Sequence, residues 1–179
     1  MSGAERRGVF PGSFDPLTVA HVAIAETAVD TLNLTGLDLS ISRQALGKPH
    51  LDATLTTRVD ALQQAVGHQR GWEVITTDHQ LLADVAAGYA AVVLGADKLA
   101  QVLDPRWYDN DSSERDAALR RLPTVVVAAR AGHELDVLLT QAANTDGELE
   151  VVVLELPEHL HEVSASAVRD GRDDWRARA

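Results

Sequence analysis

The sequence predicts an α/β fold, one domain built on an open, doubly wound parallel sheet. Three observations carry this expectation. Apolar runs alternate with amphipathic segments along most of the chain, the order expected when strands and helices take turns. Several of the runs are apolar at every position rather than at every second one, as strands covered on both faces must be. The length of 179 residues suits one domain spanning residues 1–179, with no repeat and no low-complexity linker to divide it.

Taken in order, Gly8 to Pro11 reads as the end of a first strand and Ala20 to Leu32 as a helix. Leu37 to Ser42 is a second strand, followed by a polar loop from Arg43 to Ala53 that contains Gly47, Lys48 and Pro49. From Thr56 to Val66 the spacing predicts a helix with Arg58, Asp60 and Gln63 on its polar side and Val59, Leu62 and Val66 at its apolar positions. Trp72 to Thr76 is a strand, and Asp78 is read as the cap of a helix running to Ala87. Ala90 to Leu94, Thr124 to Ala129 and Val151 to Leu154 are further apolar runs, the first ending at Gly95. The stretch Asp104 to Glu114 reads as an exposed loop reaching to about 116, its acidic group of Asp109, Asp111, Glu114 and Asp116 solvated. The tail, about 164–179, reads as helical with an exposed charged end.

Composition bounds the function. Hydrophobic residues are 45% and charged residues 24%, the balance of an ordinary soluble domain. Aromatics are 4% and 27 residues are Ala, so the core must be made of small and branched aliphatics. No apolar run approaches the roughly 20 residues of a membrane span, and the start MSGAERRGVF lacks the apolar stretch of a signal peptide. Zero Cys excludes disulfides, thiolate metal sites and cysteine nucleophiles. The expectation is a cytoplasmic protein without membrane contact; a homo-oligomer is compatible with it. Sixteen Lys+Arg against 27 Asp+Glu give a formal net charge of −11, and no basic stripe offsets it, so nucleic acid is an unsuitable partner. A small anion can still be bound where a few cationic groups converge.

Two segments have the makings of such a place. The first strand runs into Pro11-Gly12-Ser13-Phe14-Asp15-Pro16-Leu17-Thr18-Val19-Ala20-His21. Two prolines and a glycine enforce a tight turn that lets backbone approach a ligand. Thr18 is placed as an N-cap, which puts His21 in the first helical turn beside open N–H groups and the positive end of the helix dipole. Near the other end, Ser164 can cap a helix beginning at Ala165, with Ser166 and Arg169 three apart on one face. Hydroxyls, N–H groups and a guanidinium then converge as a second phosphate cradle. His159 and His161, flanked by Glu158 and Glu162, follow Pro157 and read as a solvated turn rather than a metal pair.

PGSFDPLTVAH and SASAVR, in this order and roughly 140 residues apart, resemble the two signatures of the nucleotidyltransferase superfamily, [HT]xGH and ISSTxxR. The resemblance covers nearly the whole chain and implies a Rossmann-like domain that transfers a nucleotidyl group from a nucleoside triphosphate to a phosphate monoester, releasing pyrophosphate. It implies that His21 binds the transferring phosphate with help from Thr18, and that Ser164, Ser166 and Arg169 hold the β and γ phosphates. It places the backbone of Gly12, Ser13 and Phe14 along the nucleotide, and Lys48 where acceptor and α-phosphate meet. Mg²⁺ is expected with ATP.

Two branches differ in the acceptor. Thr18 in the first motif slot and the start FPGSFDP are similar to phosphopantetheine adenylyltransferases. The middle of the chain resembles nicotinate mononucleotide adenylyltransferases: Gly95-Ala96-Asp97-Lys98-Leu99 followed by Trp107 is similar to their G-x-D-S-L…W segment, and VVVAARAGHEL to their strand followed by R-x-G-[YH]. That likeness makes Asp97, Trp107 and Arg130 acceptor-side residues, with Trp107 stacking on a pyridine ring. Nicotinate (or nicotinamide) mononucleotide is the favoured acceptor, with phosphopantetheine adenylyl transfer or another cytidylyltransferase-like reaction as the alternative. The chain departs from the family at Ala20, where a glycine is usual, and at Ala131, where a proline is common. A nucleotide-binding module without turnover is the rival reading; a class I aminoacyl-tRNA synthetase fragment is set aside as too short and too acidic.

Overall fold

Six strands, all parallel, form one sheet in the order β3-β2-β1-β4-β5-β6. The strands are β1 (Arg7–Gly12), β2 (Gly36–Ser42), β3 (Trp72–Thr77), β4 (Ala91–Gly95), β5 (Thr124–Ala128) and β6 (Val151–Leu154). The helices between them are α1 (Val19–Leu32), α2 (Leu55–Val66), α3 (Leu82–Val85), α4 (Ala96–Leu103), α5 (Ser112–Leu119) and α6 (Leu135–Ala143), with α7 (Ala165–Arg169) after the last strand. The structure, a computed structural model, describes residues 5–43, 54–129, 131 and 134–177. Among these no helix is long and apolar enough to cross a membrane.

Strands β1, β4, β5 and β6 divide their side chains between two cores, while β2 and β3 add apolar side chains to one of them. Phe10, Leu39, Ile41, Ala91, Val93 and Val126 pack with Ile24, Ala25 and Ala28 of α1 and Leu62 of α2 on one face. Val9, Val92, Leu94, Val125 and Val127 pack with Leu99, Leu103, Leu119 and Leu138 on the other. With both faces covered, alternation of polar and apolar residues has no purpose, which is why the runs read as continuously apolar. The doubly wound α/β fold expected from the sequence is the fold observed, and α4 and α6 fill stretches to which the sequence pattern assigned no helix.

At the amino ends of the strands a polar network crosses the sheet. Arg7 of β1 pairs with Asp38 of β2, and the Tyr89 hydroxyl donates to the other Asp38 oxygen at 2.6 Å. Asp38 is 6% exposed, so each partner is needed to satisfy a buried carboxylate.

Three local expectations are corrected. Asp78 does not cap a helix; it is exposed and pairs with Arg43 at 3.2 Å, and α3 begins only at Leu82. The reason is local, since the Thr77 hydroxyl takes the His79 N–H and closes a turn first. Asp104 to Glu114 is not an open loop. Asp104 caps a 3-10 turn, Pro105–Tyr108, and Asp111 caps α5 by accepting from Ser113 N–H and Glu114 N–H. Asp116 is 8% exposed and paired with Arg115, so the acidic group is only partly solvated. The tail is not a helix to its end. After α7, Gly171 turns at φ 107°, a 3-10 turn spans Asp173–Trp175, and Arg176 bridges antiparallel to Thr18 while Ala177 N–H donates to the Leu17 carbonyl at 3.1 Å.

Replacing Asp38 by Ala should lower unfolding stability by about 2–3 kcal/mol, because Arg7 and the Tyr89 hydroxyl lose a shared buried acceptor; a denaturant midpoint unchanged from the parent's contradicts this. Both tyrosines are held above their ordinary value, Tyr89 by burial and then by its bond to Asp38, Tyr108 by burial against an opposing Arg115. Below about pH 10 the phenols are protonated folded or unfolded. Above it the unfolded chain loses its protons first, so stability falls as pH rises. Absorbance titration of the native protein should show little tyrosinate near pH 10; two normally titrating tyrosines refute the assignment.

Candidate active site

The order of the strands reverses once, at β1, whose neighbours are β2 and β4. Crossovers leave in opposite directions from this strand, so a crevice opens beyond its carboxyl end. A shallow recess lies there, lined by Thr18, Ala20, His21 and Ile24 of α1 and its cap, Gly95 and Ala129 at the ends of β4 and β5, and Leu156, Leu160, His161 and Val163 beyond β6.

The first wall is built by the turn from β1 to α1. Thr18, at φ −118° and ψ 162°, is the N-cap of α1; its hydroxyl accepts from His21 N–H at 3.4 Å. In return Thr18 N–H donates to His21 Nδ1 at 3.1 Å, and the hydroxyl lies 2.8 Å from the same nitrogen. This is a capping box with a histidine in the place usually taken by Glu or Gln. An N–H can only donate, so Nδ1 must be the unprotonated nitrogen and the ring proton sits on Nε2. The cap thus sets the tautomer as well as the helix start. Phe10 and Phe14 hold the ring from the side, Phe14 with centroids 5.3 Å apart in an edge-on contact.

Gly12 matters for a reason other than ligand approach. A Cβ there would stand 2.7 Å from the Phe14 ring, which folds back over it. Phe14 is 3% exposed and takes φ 46°, a left-handed conformation that costs a non-glycine residue about 1–2 kcal/mol. Burial of its ring offsets that cost.

The second wall comes from the other end of the chain. Ser164 caps α7, accepting from Ala167 N–H at 3.1 Å. Arg169 donates through Nη2 to the Ser166 hydroxyl at 3.2 Å and through Nη1 to the Asp15 carbonyl. Two segments 154 residues apart therefore meet through one guanidinium.

Sequence reasoning missed two residues. His161, read as part of a solvated turn, is half-buried and lines the same recess as His21. Arg58 was put on the polar side of α2, yet it is 4% exposed and its Nη1 donates to the Ser13 carbonyl at 2.9 Å. The buried stripe of α2 takes in Arg58 and Ala65 beside the expected Leu62 and Val66, with Val59 half-buried against the same core. A signal was present, because a cation in the first turn of a helix opposes the dipole and needs a reason to be there. Burial pulls the Arg58 guanidinium below its usual value, and the nearby Asp15 carboxylate opposes that shift.

The remaining candidates lie apart. Asp97 is exposed in the first turn of α4, two residues beyond Gly95, whose backbone and not the Asp97 side chain occupies the cap position. Trp107 is 44% exposed on the 3-10 turn beyond the far end of α4, about 12 Å of helix from Gly95, and is not among the described residues lining the recess. Lys48 and Arg130 lie outside the described residues, as do Gly132 and His133. Among the described residues no group of three His, Asp or Glu could hold a metal ion. Ala20, 5% exposed, puts its methyl into the recess beside His21.

Two substitutions test this geometry. Thr18→Val removes the cap hydroxyl and should cost about 1 kcal/mol of stability, while the backbone N–H that remains should keep the His21 ring proton on Nε2 in nitrogen NMR; an Nδ1–H tautomer in the parent or the variant contradicts the account. Gly12→Ala should destabilise by about 1–3 kcal/mol through the Phe14 ring, and Gly12→Ala combined with Phe14→Leu should recover part of it.

Comparison with known proteins agrees with this architecture. The family model described as cytidylyltransferase-like matches residues 9–171. A relative from Bordetella avium named "Probable nicotinate-nucleotide adenylyltransferase" is 32% identical over 178 residues, covering 92% of this chain and 84% of its own length. A phosphopantetheine adenylyltransferase of Legionella pneumophila is 29% identical over 90 residues, half of each chain. Among solved structures, the Plasmodium falciparum nicotinic acid mononucleotide adenylyltransferase complexed with NaAD superposes with a TM-score of 0.65 at 13% identity, over 93% of this chain and 83% of that one. That last likeness is one of fold. On the extent of the family match, and of the Bordetella avium alignment, this chain belongs to the cytidylyltransferase-like family of nucleotidyltransferases.

Proposed function

We propose that this protein transfers an adenylyl group from MgATP to nicotinate mononucleotide, releasing pyrophosphate, a step of NAD biosynthesis. The observation that carries the reading is the reciprocal bond of Thr18 and His21 at the sheet's switch point, which leaves the ring proton on Nε2 in the recess where phosphates would gather. An acceptor phosphate oxygen attacks the α-phosphorus, the bond from that phosphorus to the bridging oxygen breaks, and pyrophosphate leaves. No covalent enzyme intermediate is needed, so positioning and charge stabilisation supply the rate.

His21 Nε2–H would donate to the α-phosphate oxygens as charge builds, with the Thr18 side chain holding the ring. Ser166 and Arg169 would take the β and γ phosphates, and Ser164 would order the turn that carries them. The backbone of Gly12, Ser13 and Phe14 would lie along the nucleotide, and Lys48 would draw acceptor and α-phosphate together. Asp97, Trp107 and Arg130 would face the acceptor. Magnesium would enter with the triphosphate, whose oxygens and waters satisfy it without a cage of protein carboxylates.

Acceptance of 4′-phosphopantetheine is the second reading, favoured by Thr18 in the first motif slot and by partial matches such as that to the Legionella pneumophila protein. Pyrophosphate release separates the two: with MgATP, nicotinate mononucleotide should be turned over well ahead of nicotinamide mononucleotide, 4′-phosphopantetheine and glycerol 3-phosphate. Preference for phosphopantetheine reverses the assignment, and nucleotide binding with no release for any acceptor points to a binding module. His21→Ala should lower kcat by a factor of about 100 or more with the fold intact; near-parental turnover sinks the mechanism. Trp107→Ala should raise KM for the acceptor and leave KM for ATP nearly unchanged.

A further inference from the structure

The loop from Gly12 to Pro16 is held by two guanidiniums at two of its carbonyls, and the two are not equivalent. Arg169 holds the Asp15 carbonyl, but its side chain belongs to an exposed residue of α7 and also reaches Ser166. Arg58 holds the Ser13 carbonyl at 2.9 Å from inside the protein, at 4% exposure, with the Asp15 carboxylate nearby and also buried, at 5% exposure. Its Nε has no hydrogen-bond partner among the described residues. A buried cation near the N-terminus of a helix, one nitrogen unsatisfied, is a poor stability device. Leucine or methionine would fill the space with no charge to desolvate.

Its geometry suits another task. Ser13 lies between Gly12, on which the Phe14 ring rests, and Phe14, whose ring braces His21. A bond to the Ser13 carbonyl therefore sets the peptide plane from which both His21 supports descend. A triphosphate that attracts Arg169 removes one of the two holds; the other is out of its reach. We propose that Arg58 is a positioning residue for the reaction: it keeps the Gly12–Pro16 loop and the Phe14–His21 contact in place while Arg169 moves from the Asp15 carbonyl to the triphosphate. This rests on the adenylyl-transfer reading for its turnover arm only.

Two variants test it, Arg58→Lys and the charge-balanced double variant Arg58→Met/Asp15→Asn, measured by amide hydrogen exchange over residues 12–16 and by steady-state kinetics. The lysine variant should keep the parental unfolding midpoint and exchange faster over residues 12–16, with α4 and α6 unaffected. Its kcat should drop about ten-fold, with KM for ATP changed less than about two-fold, as a small misplacement of a catalytic group does. The double variant should show the same pattern more strongly. Parental loop exchange and parental kcat in Arg58→Lys overturn the proposal, as does a kcat loss that vanishes when rates are divided by folded protein. If the double variant fails to fold, the lysine variant decides alone. If the parent releases no pyrophosphate, the adenylyl reading fails, and loop exchange still decides for or against Arg58.

Discussion

A parallel strand can be joined to the next only by a crossover, and here the crossovers change direction once, at β1. Every feature of the candidate site follows from that reversal. It separates the loops after β1 and β4, puts Gly95 and Ala129 at the floor of the gap, and leaves room for the segment after β6 to return over it. The sheet is rigid because both faces are packed, so the gap is set by the core rather than by the loops that line it.

On this frame one capping interaction serves two purposes. Thr18 and His21 satisfy each other's backbone N–H groups, which is ordinary helix chemistry, and the bond from Thr18 N–H to Nδ1 also determines which imidazole nitrogen carries the proton. The aromatic contacts from Phe10 and Phe14 restrict the ring plane. A site of this kind needs few residues, since phosphate transfer asks for charge and position more than for covalent chemistry. That is consistent with a chain of net charge −11 that gathers its cations locally: Arg58 and Arg169 both point at carbonyls of one short loop.

Fold and motif placement were legible because they depend on short-range patterns. Continuous apolar runs identified the strands, and Thr18 and Ser164 were recognisable as caps from their own neighbours. Errors fell where a local pattern admits two outcomes. The stretch from Asp104 is rich in polar and acidic residues, as a loop would be, but Asp104 and Asp111 are spaced to start helical turns and do so. Arg58 looked solvent-facing because arginine usually is, yet it joins the expected Leu62 and Val66 on the buried side of α2.

The sequence by itself determined the layered α/β class and the two helix starts capped by Thr18 and Ser164, since each is encoded within a few neighbouring residues. The tertiary structure alone decided the order of the strands, the meeting of Arg169 with Asp15, the burial of Arg58 and the place of His161 in the same recess as His21. Those are contacts between residues far apart in the chain. Their free energy depends on which surfaces the fold brings together and which water it excludes, and no local pattern carries that information.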